Sequence, residues 1–144
     1  MKSQIPGFTR PYQISITTMG DIIVLCKAPI QMIYIFSNNG TFINKNIEDL
    51  GITKAPFLAV NAKDQILILD DEEGLLYWLD VELNNISSMK LPGSTYGSMV
   101  YSKEHNSIFI SVLDSSLIIK VGDDKKSFTS FFDYSQIIEC NNVH

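Results

Sequence analysis

The chain repeats itself three times, and that repetition limits its folding more than any other feature. Ile22-Ile23-Val24-Leu25, Ile66-Leu67-Ile68-Leu69 and Ile108-Phe109-Ile110-Ser111 align, with Ile22, Ile66 and Ile108 spaced 44 and 42 residues apart. A short apolar segment precedes each core: Tyr12 to Thr17, Phe57 to Asn61 and Tyr96 to Tyr101. Another follows: Met32 to Ser37, Leu75 to Leu79 and Leu117 to Val121. A more polar segment closes each unit: Thr41 to Lys45, Ile86 to Lys90 and Ser127 to Phe131. These runs are short, rich in Ile, Val, Phe and Tyr, and separated by turn residues such as Asn38-Asn39-Gly40 and Lys103-Glu104-His105-Asn106. Strands are expected, four to a unit. A single turn of helix fits only in Asn46 to Thr53, before Pro56.

A period of roughly 40–50 residues with four strands per unit is that of a β-propeller blade. The expectation is an all-β chain of three four-stranded antiparallel blades at about 11–47, 55–91 and 95–132, followed by a tail at 133–144. The middle strands are apolar on both faces, as a sheet sandwiched between neighbours requires, and Trp78 should be buried between blades. Propellers typically close with four to eight blades. Three blades therefore call for completion to six, by homodimerisation or by other segments. In a pair of copies, blade one would meet blade three through Ile14, Ile22 and Val24 against Ile108, Ile110 and Ile118.

Charge and composition narrow the functional classes. The 144 residues carry a net charge of -5, which disfavours a broad phosphate-tracking surface. The two cysteines, Cys26 in an apolar run and Cys140 in the tail, form neither a disulfide framework nor a metal-binding pair. Met1 to Gly7 lacks the apolar stretch of a signal peptide, and no segment reaches the roughly 20 apolar residues of a membrane span. A cytoplasmic setting without membrane partners is the expectation.

Candidate chemistry is sparse. Asp70-Asp71-Glu72-Glu73 offers four consecutive carboxylates, but a calcium loop needs ligands at alternate positions, so a solvated acidic loop is expected. Asp123-Asp124-Lys125-Lys126 reads as a charged hairpin turn. His105 and His144 have no visible nucleophile or metal partner, so no cofactor, metal or catalytic site is expected. The inner strands open with Tyr12, Phe57 and Tyr96, which either pack between blades or ring the channel mouth. Arg10, the one arginine, would share that face and grip a carboxylate or a base.

The aligned units resemble the NHL repeat. Pro11-Tyr12-Gln13-Ile14 opens the first unit and Tyr34-Ile35-Phe36-Ser37-Asn38-Asn39-Gly40-Thr41-Phe42 closes it. Pro56-Phe57-Leu58-Ala59 opens the second, which continues to Ile68-Leu69-Asp70-Asp71. The third departs, with Tyr96-Gly97-Ser98-Met99 in place of the proline opening, but Ser111-Val112-Leu113-Asp114 keeps a late aspartate. The resemblance implies a non-catalytic scaffold binding a protein or peptide on one face. RNA binding is the alternative, and a ring-shaped hydrolase or lyase is the third class.

Overall fold

A computed structural model describes residues 10–27, 30–123 and 128–133. Residues 1–9, Cys140, His144, the 134–144 part of the tail and the Asp124-Lys125-Lys126 portion of the expected hairpin lie outside the described residues. Twelve strands form three separate four-stranded sheets. Blade one contains β1 (Pro11–Ile16), β2 (Ile22–Cys26), β3 (Met32–Phe36) and β4 (Phe42–Asn46). Blade two contains β5 (Phe57–Val60), β6 (Ile66–Asp70), β7 (Leu75–Leu79) and β8 (Asn85–Lys90). Blade three contains β9 (Tyr96–Ser102), β10 (Ser107–Val112), β11 (Leu117–Gly122) and β12 (Phe128–Asp133). Every pairing is antiparallel and every blade is a simple meander. The first strands β1, β5 and β9 lie side by side, which makes them the inner strands, and the fourth strands β4 and β8 form a largely exposed margin. No helix among the described residues is long and apolar enough to cross a membrane.

The turns explain how such short strands keep register. In Thr17–Asp21, Ser37–Thr41, Asn61–Gln65 and Asp80–Asn84, the first N–H bonds the fifth carbonyl and the fourth N–H bonds the first carbonyl. That geometry needs a left-handed fourth residue, supplied by Gly20, Gly40, Asp64 and Leu83. Leucine is a poor choice for a φ of 65°, yet Leu83 is fully buried in the seam between blades one and two. Its carbonyl also accepts a 3.2 Å bond from Lys45 of β4, so burial and a cross-blade hydrogen bond offset the strain. The anticipated helical turn is a short 3-10 segment, Ile47–Leu50, capped by the Asn46 side chain and ended by left-handed Gly51.

Two seams hold the blades. One packs Ile23, Leu25, Ile33 and Ile35 of blade one against Ile66, Ile68, Tyr77 and Leu79 of blade two. The other packs Leu67, Leu69, Leu76 and Trp78 of blade two against Ile108, Ile110, Ile119 and Val121 of blade three. Successive β6 residues thus serve opposite seams, and Ile66 to Leu69 are all fully buried. This corrects one expectation. Ile108 and Ile110 do not lie on an open face of blade three; they fill the seam with blade two, and only Ile118 points the other way.

Trp78 is 1% exposed at the centre of the second seam. Trp78→Ala should lower stability by roughly 3–5 kcal/mol, the range for truncating a packed core aromatic. Chemical denaturation should show an earlier midpoint, and a loss below 1 kcal/mol would refute central packing of this blade.

Candidate functional site

The rim where inner strands begin carries most of the side chains with chemistry to offer. Asp70 ends β6 and Asp114 follows β10, so both carboxylates reach the linker that leads into their own blade. Thr53 donates its N–H at 2.8 Å and its hydroxyl at 3.0 Å to Asp70, which also accepts the N–H groups of Glu72 and Glu73 at 3.1 and 3.2 Å. Ser94 donates its N–H and hydroxyl to Asp114, both at 3.1 Å, and Thr95 adds its N–H at 3.3 Å. Each aspartate therefore ties a linker to a hairpin loop. In the second case Gly93 at a φ of 84° is required, since a Cβ there would collide with Val112 and Asp114.

The acidic run differs from expectation. Asp70 is fully buried and consumed by hydrogen bonds, so it is a structural anchor and not a solvated charge. Asp71 pairs with Lys54 at 3.6 Å, while Glu72 and Glu73 face solvent. No cluster of three or more His, Cys, Asp or Glu side chains able to hold a metal occurs among the described residues. His105 sits in the turn between β9 and β10, edge-on to Phe109 with ring centroids 5.5 Å apart.

The three aromatics do not converge. Tyr12 packs on the seam between blades one and two and donates its hydroxyl to the Ala55 carbonyl, with Lys27 5.4 Å above its ring. Phe57 and Tyr96 pack in the other seam, where Tyr96 donates to the carbonyls of Pro92 and Gly93. Arg10 is exposed, left-handed at a φ of 51°, and its carbonyl accepts from the Lys27 N–H. Desolvation by burial pushes the Tyr12 phenol up to about 12, helped by the nearby Cys26. Burial likewise raises Tyr34, Tyr77, Tyr96 and Tyr101. These hydroxyls are placed as neutral donors or packing groups.

An apolar surface lies on the side of blade one away from blade two, around the Ile14, Ile22 and Val24 that the sequence reading assigned to contact with a second copy. Register places Ile14 beside Val24 and Ile16 beside Ile22, with Phe36 between Ile22 and Phe42. Ile14 and Ile16 are 67% and 62% exposed, Ile22 and Phe42 are exposed as well, and Val24, Cys26 and Tyr34 at the centre are buried. Tyr34, Phe36 and Phe42 stack in a row with centroids 6.1 and 6.2 Å apart. A cavity of about 360 Å³ opens there, lined by Pro11, Tyr12, Gln13, Ile14 and Val24. Period-two alternation in β1 was the available signal, because Ile14 and Ile16 share a face.

Comparison with solved structures follows the same architecture. Virginiamycin B lyase from Staphylococcus aureus superposes with a TM-score of 0.69 at 13% identity, over 89% of this chain and 43% of its own. Streptogramin B lyase gives 0.65 at 14% identity, over 84% and 40%. A structural genomics protein of unknown function from Bacteroides thetaiotaomicron gives 0.60 at 12%, over 86% and 34%. This chain spans less than half the length of these structures. At such identities the likeness establishes the fold alone: three consecutive blades of a β-propeller. No protein-family model and no curated protein sequence matches the chain.

Two outcomes follow from this geometry. Asp70→Ala should cost about 3 kcal/mol, because removing a buried charged acceptor leaves several donors unpaired, whereas Asp71→Ala should cost below about 1 kcal/mol. Equal effects in thermal melts would refute the anchor role of Asp70. Burial raises all five phenols and so favours their neutral form in the fold; for Tyr12 the contribution is full below the ordinary value of 10 and disappears as pH rises toward about 12. Phenolate absorbance should rise above pH 10 together with unfolding; full ionisation of these five tyrosines near pH 10 with the fold intact would contradict their burial.

Proposed function

We propose that this chain is a non-catalytic scaffold that binds another protein through the exposed face of blade one. The carrying observation is the apolar surface of Ile14, Ile16, Ile22 and Phe42 beside the 360 Å³ cavity. Contiguous apolar surface of this kind marks interaction sites in soluble proteins. The rim residues favour the same reading, since Asp70, Asp114, Tyr12 and Tyr96 spend their polar atoms on linkers. The NHL-like spacing of Pro11 and Pro56 agrees with an interaction platform, and the net charge of -5 favours protein over RNA as the bound molecule. A cytoplasmic setting belongs to the same proposal, as Cys26 is buried and burial raises its thiol pKa, which keeps it unreactive.

The competing class is the lyase. One solved form of the Staphylococcus aureus enzyme is a catalytically inactive histidine-to-alanine variant with quinupristin. Here His105 lies in a turn against Phe109, away from the rim carboxylates. Incubating the purified chain with quinupristin or virginiamycin B and following both by mass spectrometry tests the scaffold reading. Unaltered antibiotic is expected. Turnover lost on His105→Ala would overturn it.

A further inference from the structure

Each seam joins the trailing face of one blade to the leading face of the next, and at the outer edge of the first seam a groove is left. It measures about 220 Å³ and lies between the β3–β4 turn of blade one and the β7–β8 turn of blade two. Ile35, Ile43 and Val81 supply its apolar lining, and its two charged members, Asp21 and Glu82, are both acidic. Ile35 is buried, whereas Ile43 and Val81 are 39% and 43% exposed. The fold accounts for Leu83 in this turn, which fills the seam, but not for Val81. At the same position the other three turns of this geometry carry Thr18, Asn38 and Ala62. Nor does the repeat demand the apolar pair of Ile35 with Ile43, since the corresponding pair in blade two is Trp78 with Ser87. The carboxylates keep capacity to spare. Asp21 accepts the Asn38 N–H at 2.8 Å through one oxygen, and Glu82 lends its turn only a backbone N–H, which Asp80 accepts.

We propose that this groove docks an extended peptide segment of a partner protein, seating one aliphatic side chain between Ile43 and Val81 and basic side chains beside Asp21 and Glu82. Its volume falls below the roughly 300 Å³ at which small-molecule sites begin, so it suits a side chain and not a whole cofactor. Charge selects the segment. An acidic peptide or an RNA would set its own charges against both carboxylates, whereas lysine or arginine complements them. Lys45 of β4 does not take that place, because its ammonium is directed at the Leu83 carbonyl. β4 is also the last strand of its sheet, and the outer edge of such a strand offers main-chain groups to an extended chain. Alternation in that chain puts every second side chain on one side, so the basic residues belong two positions before and after the aliphatic one. The groove lies on the side of blade one facing blade two, apart from the surface of Ile14 and Ile16, and the proposal does not depend on that surface.

The test titrates the whole chain with the blocked peptide acetyl-Lys-Ser-Ile-Ser-Lys-amide and follows its backbone amide resonances. Saturable shifts are expected at Ile43, Val81 and Glu82. The peptide with both lysines replaced by glutamate should bind about tenfold more weakly, the weight of two exposed ion pairs. Raising the ionic strength from about 0.01 M to about 1 M, where screening shortens from about 30 Å to 3 Å, should remove most of that preference. Glu82→Lys, a change at an exposed turn position, should weaken the lysine peptide and strengthen the glutamate one. Val81→Ser should weaken both, and amide spectra of the two variants that match the unaltered chain outside the turn establish that they fold. Glu82→Gln replaces Glu82→Lys if the charge reversal disturbs the turn, and should reduce the preference without inverting it. The inference is overturned if no shift saturates, if the two peptides bind equally at low salt, or if the preference survives Glu82→Lys unchanged. Shifts centred on Ile14 and Ile16 also overturn it, because they place the peptide on the other side of blade one and leave the scaffold reading intact.

Discussion

The structure depends on β6 burying both of its faces at once. Ile66 and Ile68 reach one neighbouring blade, Leu67 and Leu69 the other, and none is exposed. Burying four such side chains contributes on the order of 1.5–3 kcal/mol each. A sheet of this size needs one buried apolar face for stability, and blade two, sandwiched on both sides, has two. Stability is accordingly shared between seams in nearest-neighbour fashion, and the blades at either end are defined by what their outer faces meet.

Electrostatics then fix the blades against one another at both rims. On one rim Thr18 of blade one donates its N–H and hydroxyl to Asp64 of blade two at 2.7 and 2.6 Å. On the other, Thr53 with Asp70 and Ser94 with Asp114 hold the linkers down. The repeated use of a hydroxyl residue with an aspartate has a simple cause. The side chain satisfies two donors in a segment that has no strand partner, where an unpaired amide would be costly. Polar residues at these positions consequently build the ring segment and are removed from the inventory of reactive groups.

Much of this was legible before any coordinates, for a definite reason. The 44- and 42-residue spacings and the turn residues located all twelve strands to within about two residues at their ends, because turn chemistry and apolar runs are local signals. The buried role of Asp70 was hidden, since its donors come from Thr53 across a linker and composition alone makes an acidic run look solvated. For Tyr12, Phe57 and Tyr96 the sequence left packing between blades and a channel ring both open, and it could not show that they serve two different seams.

The misplaced faces of blade three are more instructive, because the alignment itself held the answer. Equivalent residues in successive blades point the same way around the stack, so Ile22 and Ile108 both lead. Two leading faces cannot form a head-to-tail seam, whatever their hydrophobicity. The proper mate for Ile22 lies at the Phe109 position and its neighbours, where Ser111 and Lys120 stand. Period-two alternation tells which residues share a face; only the handed order of the stack tells which faces can meet.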